Sequence, residues 1–228
     1  MIERQISTFR AAGITRIIIV SGYLGEMLTF PGTERVDNSD WAHTNMVESL
    51  FQAEPKFGDD IIVSYGDIVF EPRILSAVLD SPHSISVAVD RQWRPYWEMR
   101  FADPLSDAES LSLSSNGRIM DIGQPVMEID KIEGQFIGLM RFRGGGIGDL
   151  RRTKALLGTI RRPWLDQRTV QNAYMTDLLM EMILTGVDIF AIPIDGGWLE
   201  IDTPTDLDLA SSIVNEPTGR IFLDVVDR

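Results

Sequence analysis

The most constraining feature of the sequence is a short apolar run that ends in glycine and aspartate. Residues 61–63 are Ile-Ile-Val, without polar alternation, which is typical of a strand buried on both faces. The run stops at Gly66, and Asp67 stands where a parallel strand would reach its carboxyl end. Ligands of open α/β sheets bind at that edge. Asp67 is therefore a candidate metal or phosphate site, with the alternative that it caps the helix that Pro72 begins.

Helical and strand patterns alternate along the chain, which predicts an α/β fold. A helix with the apolar face Ile2, Ile6 and Phe9 leads to a buried strand over 15–20. Because a helix followed by a strand is half of a βαβ unit, we expect a further strand ahead of Met1. Other strands are predicted over 35–38, 84–90 and 187–194, and other helices over 46–53, 71–80, 147–158, 173–185 and 206–214. This order predicts a Rossmann-like, doubly wound, mostly parallel sheet.

The alternation of helical and strand patterns stops over residues 92–143. This change predicts a small antiparallel insertion or lid within a single domain that spans 1–228. Strand-like pieces over 110–113, 118–122 and 134–142 surround a turn at Asn116-Gly117. The tail over 221–226 has the pattern of an edge strand, whose partner the sequence does not identify.

A second acidic motif lies at residues 198–206. In a strand, Trp198, Glu200 and Asp202 would share one face, because side chains alternate with period two. Pro204 would end the pairing, and Thr203 or Thr205 could begin a helix. Asp67 and Asp202 together would suit one Mg²⁺, which favours a few carboxylates plus phosphate oxygens and water. The alternative is a strand end at the surface with solvated acids.

Three aromatic residues, Trp93, Tyr96 and Trp97, crowd the start of the predicted insertion. Aromatic side chains mostly fill cores. Three of them beside a charged loop that contains proline could instead form a cage for a quaternary ammonium group through cation–π attraction. The sequence leaves both readings open.

The charge and the composition narrow the choice of partners. The net charge of −13 argues against binding to a nucleic-acid backbone or to an anionic membrane, because both need a basic surface. The absence of cysteine excludes disulfides, thiolate metal sites and cysteine nucleophiles, and it fits a cytoplasmic protein. Whether the chain forms a homo-oligomer is left open.

With Tyr-Gly-Asp at 65–67 and the motif at 200–206, the chain resembles the nucleotidyltransferase superfamily over nearly its whole length. The segments 44–50, 100–109 and 134–139 resemble the phosphocholine cytidylyltransferase-like and sugar-phosphate branch. The resemblance implies that the phosphate oxygen of a phosphorylated acceptor attacks the α-phosphorus of a nucleoside triphosphate, CTP in this branch, and that pyrophosphate leaves. It also implies site residues: Asp67 and Asp202 for Mg²⁺ and catalysis, Asn45 and Gly66 for the nucleotide, and Trp93, Tyr96, Trp97, Glu133, Gln135, Trp198 and Glu200 for the acceptor.

The chain departs from the family pattern at its start. The family opens with a strand and a glycine-rich turn that carries a basic residue and wraps the triphosphate, and Met1 falls after that signature. The glycine-rich stretch 143–148 lacks the spacing of a phosphate loop. We therefore expect a chain that is N-terminally incomplete relative to the family. The alternative is a non-catalytic or truncated relative that binds a nucleotide, an acceptor or a protein partner.

Overall fold

The computed structural model of the chain describes residues 1–159 and 169–215. Its α-helices are α1 (Ile2–Ala11), α2 (Met46–Gln52), α3 (Pro72–Asp80), α4 (Trp93–Arg100), α5 (Gly145–Leu157), α6 (Met175–Leu184) and α7 (Pro204–Asn215). Its strands are β1 (Ile18–Ser21), β2 (Glu34–Asp37), β3 (Asp60–Ser64), β4 (Ile68–Phe70), β5 (Ile85–Asp90), β6 (Glu109–Leu113), β7 (Ile119–Pro125), β8 (Gln135–Arg143), β9 (Phe190–Ile194) and β10 (Trp198–Glu200). The predicted α/β class is confirmed. The predicted tail strand over 221–226 lies outside the described residues.

The main sheet has the strand order β3-β8-β5-β9, and the prediction that the sheet is mostly parallel is wrong. Strand β8 runs antiparallel to both β3 and β5, while β5 and β9 are parallel. Strands β1 and β2 form a parallel pair, and β4 and β10 form an antiparallel pair. The error has a physical cause: apolar runs identify buried strands but do not give their direction, and β8 lies between β3 and β5 and runs antiparallel to both.

The predicted insertion over 92–143 contains three different structures. Its aromatic start forms α4, a helix that the sequence analysis did not predict. Strands β6 and β7 pair antiparallel around a turn in which Gly117 has a φ of +81°. The last strand, β8, belongs to the main sheet. A separate insertion or lid over this range stays a prediction.

Two hydrophobic clusters position the site. One gathers β4, β10, α3 and α4, with Phe70, Leu75 and Trp198 among its buried members. The other packs α5 and α6 against β5 and β8, with Met140 and Leu179 in its interior. A cavity of about 810 Å³ is lined by β1 and β3 and by residues of α1 and α2. Within the described ranges, no helix has the length and apolar character needed to cross a membrane.

Candidate active site

Asp67 lies in the short connection between β3, which ends at Ser64, and β4, which begins at Ile68. Its main-chain oxygen accepts a hydrogen bond from the N–H of Ile201, at 2.9 Å. The alternative that Asp67 caps α3 is wrong, because β4 separates the two and Glu71 occupies the N-cap position. The main chain of the first acidic motif is thus tied directly to the second.

Within the part of the chain that the structure describes, the carboxyl group of Asp67 lacks some of the hydrogen bonds that would offset the cost of its burial. Its Oδ1 is buried and, among the described residues, has no hydrogen-bond partner. Burial raises the pKa of Asp67, and the negative charge of Asp202 raises it further. An unpaired buried carboxylate oxygen destabilises a fold unless a ligand supplies the missing interaction. Asp67 therefore has the properties expected of a cation ligand.

The second acidic motif forms a strand end and a helix start. Strand β10 pairs antiparallel with β4, which places Glu200 opposite Ile68. Asp202 lies just beyond β10, so the prediction that it shares a strand face with Trp198 and Glu200 is wrong in its last member. The sequence explains this end, because α7 begins at the next residues.

The start of α7 is fixed by a capping box. The Asp206 carboxylate accepts hydrogen bonds from the N–H and the hydroxyl of Thr203, and the Asp206 N–H donates back to Thr203 Oγ1. Pro204 occupies the first helical position, where its missing N–H does no harm. Of the two predicted caps, Thr203 is the one that acts. The capping box holds the main chain that carries Asp202.

Arg100, at the end of α4, binds the carboxylates of Glu200, Asp202 and Asp206. Together with Asp67, these residues form what we call the acidic corner. Its Nη1 lies 2.5 Å from Glu200, its Nη2 lies 2.7 Å from Asp202, and its Nε lies 3.0 Å from Asp206. The arginine side chain is only 1% exposed. Sequence reasoning did not assign Arg100 to the site. The available signal was its place at the start of the 100–109 segment, but nothing local shows that its partners lie about 100 positions further along the chain.

The acidic corner remains short of positive charge despite Arg100. Burial, together with the charge of Asp202, raises the pKa of Glu200 from 4.5 to about 7. No set of three histidine, aspartate or glutamate side chains within the described ranges is arranged to hold a metal without help. Two carboxylates, Asp67 and Asp202, are nevertheless sufficient for Mg²⁺, because this ion takes most of its other ligands from water and substrate phosphates. The unpartnered oxygen of Asp67 fits such an ion.

The aromatic residues fill the core behind this corner. Trp93, Tyr96 and Trp97 are between 2% and 4% exposed, and their rings meet edge to face. The guanidinium of Arg100 lies over the rings of Tyr96 and Trp97, at 5.5 and 5.7 Å. The reading of an open cage is therefore wrong for this structure, since the rings face one another and a cation of the chain itself. Direct contact of these residues with an acceptor stays a prediction.

Three other predicted acceptor residues make hydrogen bonds around the site, Trp198 to a side chain and Gln135 and Glu133 to the main chain. Trp198 Nε1 donates to Asp90 Oδ2 at 2.8 Å. Gln135 donates to the main-chain oxygen of Glu109 and accepts from its N–H. Glu133 accepts from the N–H of Leu113. These bonds join the ends of β5 and β6 to the neighbouring strands.

The two predicted nucleotide residues lie on the wall of the cavity between β1 and β3. Asn45 caps α2, since its Oδ1 accepts from the N–H of Met46 at 2.8 Å. Gly66 has open space where a Cβ would stand. Asp67 lines the same cavity, so these three residues border one common space.

Comparison with known proteins identifies relatives across almost the whole chain. The chain is 32% identical over 220 residues to the CTP:phosphoglutamine cytidylyltransferase of Campylobacter jejuni, covering 92% of this chain and 86% of that protein. It is 25% identical over 222 residues to the bifunctional IPC transferase and DIPP synthase of Rubrobacter xylanophilus, and it spans 45% of that longer protein. No protein-family model matches the chain.

Solved structures agree with this fold. The inositol-1-phosphate CTP transferase of T. maritima has a TM-score of 0.65 at 19% identity, over 96% of this chain and 80% of that one. The CTP:phosphocholine cytidylyltransferase of Streptococcus pneumoniae has a TM-score of 0.63 at 17% identity, over 94% and 85%. The shared fold and the relative that is 32% identical identify the family. This chain belongs to the cytidylyltransferases of the nucleotidyltransferase superfamily.

Proposed function

We propose that this enzyme transfers CMP from CTP to a phosphorylated small-molecule acceptor and releases pyrophosphate. The observation that carries the proposal is the 32% identity to a CTP:phosphoglutamine cytidylyltransferase over 92% of the chain. The acidic corner supports it, since Asp67 presents an unpartnered buried oxygen beside Asp202. Such a site is suited to a divalent cation that carries phosphate groups.

The acceptor that we propose is a phosphorylated amide-bearing compound of the phosphoglutamine kind rather than phosphocholine. The C. jejuni relative named for phosphoglutamine is 32% identical to this chain, and the S. pneumoniae enzyme named for phosphocholine is 17% identical. The burial of Trp93, Tyr96 and Trp97 supports the same choice, because a quaternary ammonium group needs exposed ring faces.

The chemistry needs positioning and charge neutralisation more than it needs a nucleophilic side chain. An oxygen of the acceptor phosphate forms a bond to the α-phosphorus of CTP, and the bond from that phosphorus to the bridging oxygen breaks, with pyrophosphate carrying away the electron pair. Asp67 and Asp202 would hold Mg²⁺, which when bound neutralises charge on the phosphate oxygens. Asn45 and Gly66 would border the nucleotide. No covalent intermediate with the protein is required.

The direct test is pyrophosphate release by the purified protein with CTP and each of four acceptors: phosphoglutamine, phosphocholine, inositol 1-phosphate and glucose 1-phosphate. We expect release with phosphoglutamine and CTP, loss of release with EDTA, and recovery with Mg²⁺. Replacing CTP by ATP, GTP or UTP controls for the base. Magnesium-dependent binding of CTP without pyrophosphate release from any acceptor would contradict the proposal and select the non-catalytic alternative.

A further inference from the structure

Arg100 has no free hydrogen-bonding edge for a substrate. Its three nitrogen atoms each face a different carboxylate, on Glu200, Asp202 and Asp206. The side chain is 1% exposed, and the ring of Phe101 lies 5.0 Å from the guanidinium carbon. A buried arginine whose three nitrogen atoms each bind a carboxylate, and whose face is covered, cannot bind an incoming phosphate without leaving its site.

The partners of Arg100 differ in their own roles. Asp206 is also part of the capping box at the start of α7, so it is held by Thr203 as well as by Arg100. Asp202 is 46% exposed, and Arg100 binds only its Oδ2, which leaves Oδ1 available. The guanidinium therefore connects a fixed carboxylate to one that faces the solvent.

We propose that Arg100 is a positioning residue that sets the orientation of Asp202, and of Glu200 beside it, for a divalent cation held together with Asp67. The inference rests on the proposed function, because it assigns Arg100 to the same metal site. The physical reason is that carboxylates which converge on one place repel one another. A planar guanidinium fork holds them at fixed angles, whereas a lysine ammonium acts as a point charge.

The test measures metal binding directly, with Mn²⁺ as the probe and electron paramagnetic resonance of free Mn²⁺ as the readout, in the presence and absence of CTP. Arg100→Lys keeps the charge and removes the fork. We expect it to weaken Mn²⁺ binding about 10- to 100-fold, the usual effect of losing a group that orients a metal ligand. The matched control is Arg94→Lys on the same helix, whose partners Glu98 and Asp130 are exposed, and we expect its Mn²⁺ binding to equal that of the wild type.

A second variant keeps the test valid if Arg100→Lys does not fold. Asp206→Asn removes one charged anchor of Arg100 and keeps the side chains of Asp67 and Asp202, and we expect a smaller loss of Mn²⁺ affinity in the same direction. Because the Asp206 carboxylate also accepts from the N–H groups of Asp202 and Thr203, the control is Thr203→Ala, which disturbs the capping box and keeps the pair between Arg100 and Asp206. We expect Thr203→Ala to bind Mn²⁺ as the wild type does. The concentration of Mn²⁺ that gives half-maximal turnover should rise in Arg100→Lys and in Asp206→Asn, and excess Mn²⁺ should restore turnover.

The outcomes separate this inference from the proposed function. If the wild type binds Mn²⁺, Asp67→Asn does not, and Arg100→Lys binds it as the wild type does, the role of Arg100 is overturned and the metal site stands. If Arg100→Gln binds Mn²⁺ more tightly than the wild type, the guanidinium competes with the metal, which also overturns the inference. If the wild type does not bind Mn²⁺ even with CTP, the metal site and the inference both fail.

Discussion

Arg100 and Arg141 are both buried arginines that bind carboxylates, but their surroundings balance charge differently. Arg141 binds both oxygens of Asp60, at 2.8 and 2.6 Å, and its remaining donors reach main-chain oxygens at the end of α3. One cation there meets one anion. Arg100 meets three carboxylates, and Asp67 adds a fourth charge to the same corner. The balanced pair of Arg141 and Asp60 joins structural elements, whereas the excess of negative charge around Arg100 fits the additional cation that we propose.

The two aspartates at either side of β3 show the same contrast. Asp60 begins the strand, and the hydrogen bond from Arg141 lowers its pKa. Asp67 follows the strand, and burial raises its pKa. The first carboxylate is stabilised by the fold as an anion, while the second is destabilised as an anion in the absence of a ligand. A buried carboxylate that the fold destabilises as an anion is not explained by a contribution to stability.

The largest expected effect separates the two aspartates by activity. If Asp67 holds the metal as proposed, Asp67→Asn should lower turnover on the order of a thousandfold, because the metal supplies several kcal/mol of charge stabilisation. Asp60→Asn should leave turnover unchanged at saturating CTP and acceptor. Initial rates of pyrophosphate release measure both. Equal losses in the two variants would remove the distinction between a functional and a structural carboxylate.

The next prediction concerns how the free energy of unfolding depends on pH. Glu200 beside Arg100 and Asp60 beside Arg141 should change it in opposite directions as pH rises. Because the pKa of Glu200 is raised from 4.5 to about 7, the folded protein binds more protons than the unfolded chain between these values. Stability from this group is therefore lost as pH rises from 4.5 to 7, by up to about 3 kcal/mol. In urea unfolding, Glu200→Gln should gain stability relative to the wild type over that range.

Asp60 supplies the control for this pH dependence. Its lowered pKa means that it stabilises the fold above the unfolded value of 3.8, and that this contribution is lost as pH falls through the lower folded value. The difference between wild type and Asp60→Asn should therefore change below pH 3.8 and stay constant between pH 4.5 and 7. If the stability difference from the wild type changed between pH 4.5 and 7 for both Glu200→Gln and Asp60→Asn, the two sites would not differ as described.

The sequence predicts those features of the candidate site that follow local rules of strand ends and helix starts. The apolar run before Asp67 and the Thr-Pro-Thr-Asp start of α7 are strand-end and helix-start signals, and the structure joins them through the hydrogen bond between Ile201 and Asp67. Arg100 could not be found in this way, since its three partners lie 100 or more positions away. The sequence contains no local pattern for such a contact.

The errors in the predicted fold also come from contacts between residues that are far apart in the sequence. Helices such as α3 and α6 have the predicted positions within a few residues, because apolar periodicity is a local property. The direction of β8 depends on which strands it pairs with, and that is a tertiary property. Helix α4 was missed because its aromatic residues cover more than one face, since the rings pack both on Trp198 and on each other. Long-range packing decided each of these features.

A third prediction uses stability to test the balanced pair. Asp60→Asn should lower the free energy of unfolding by about 1–3 kcal/mol, because Arg141 is buried and would lose its charged partner. Asp67→Asn should leave stability unchanged or raise it, since it removes a buried carboxylate oxygen without a partner. Urea unfolding at pH 7 without metal measures both. A larger loss for Asp67→Asn would mean that Asp67 holds the fold together.

The smallest expected effect concerns the support behind the acidic corner. Tyr96 Oη donates to the main-chain oxygen of Glu200 and accepts from its N–H, both at 3.0 Å. Tyr96→Phe removes these bonds and keeps the ring, so the protein should lose about 1 kcal/mol of stability. Turnover should fall by no more than about fivefold, the equivalent of about 1 kcal/mol.

The exposed Tyr23 supplies the control, because Tyr23→Phe changes the same group at the surface and should alter stability by less than about 0.5 kcal/mol. If Tyr96→Phe lost activity with phosphocholine as the acceptor but not with the other acceptors, this result would indicate that the aromatic residues contact the acceptor directly. Equal, small losses with every acceptor would place Tyr96 among the groups that hold the main chain of Glu200. The acidic corner would then be held in two ways: Arg100 would bind its carboxylates, and Tyr96 would bind the main chain of Glu200.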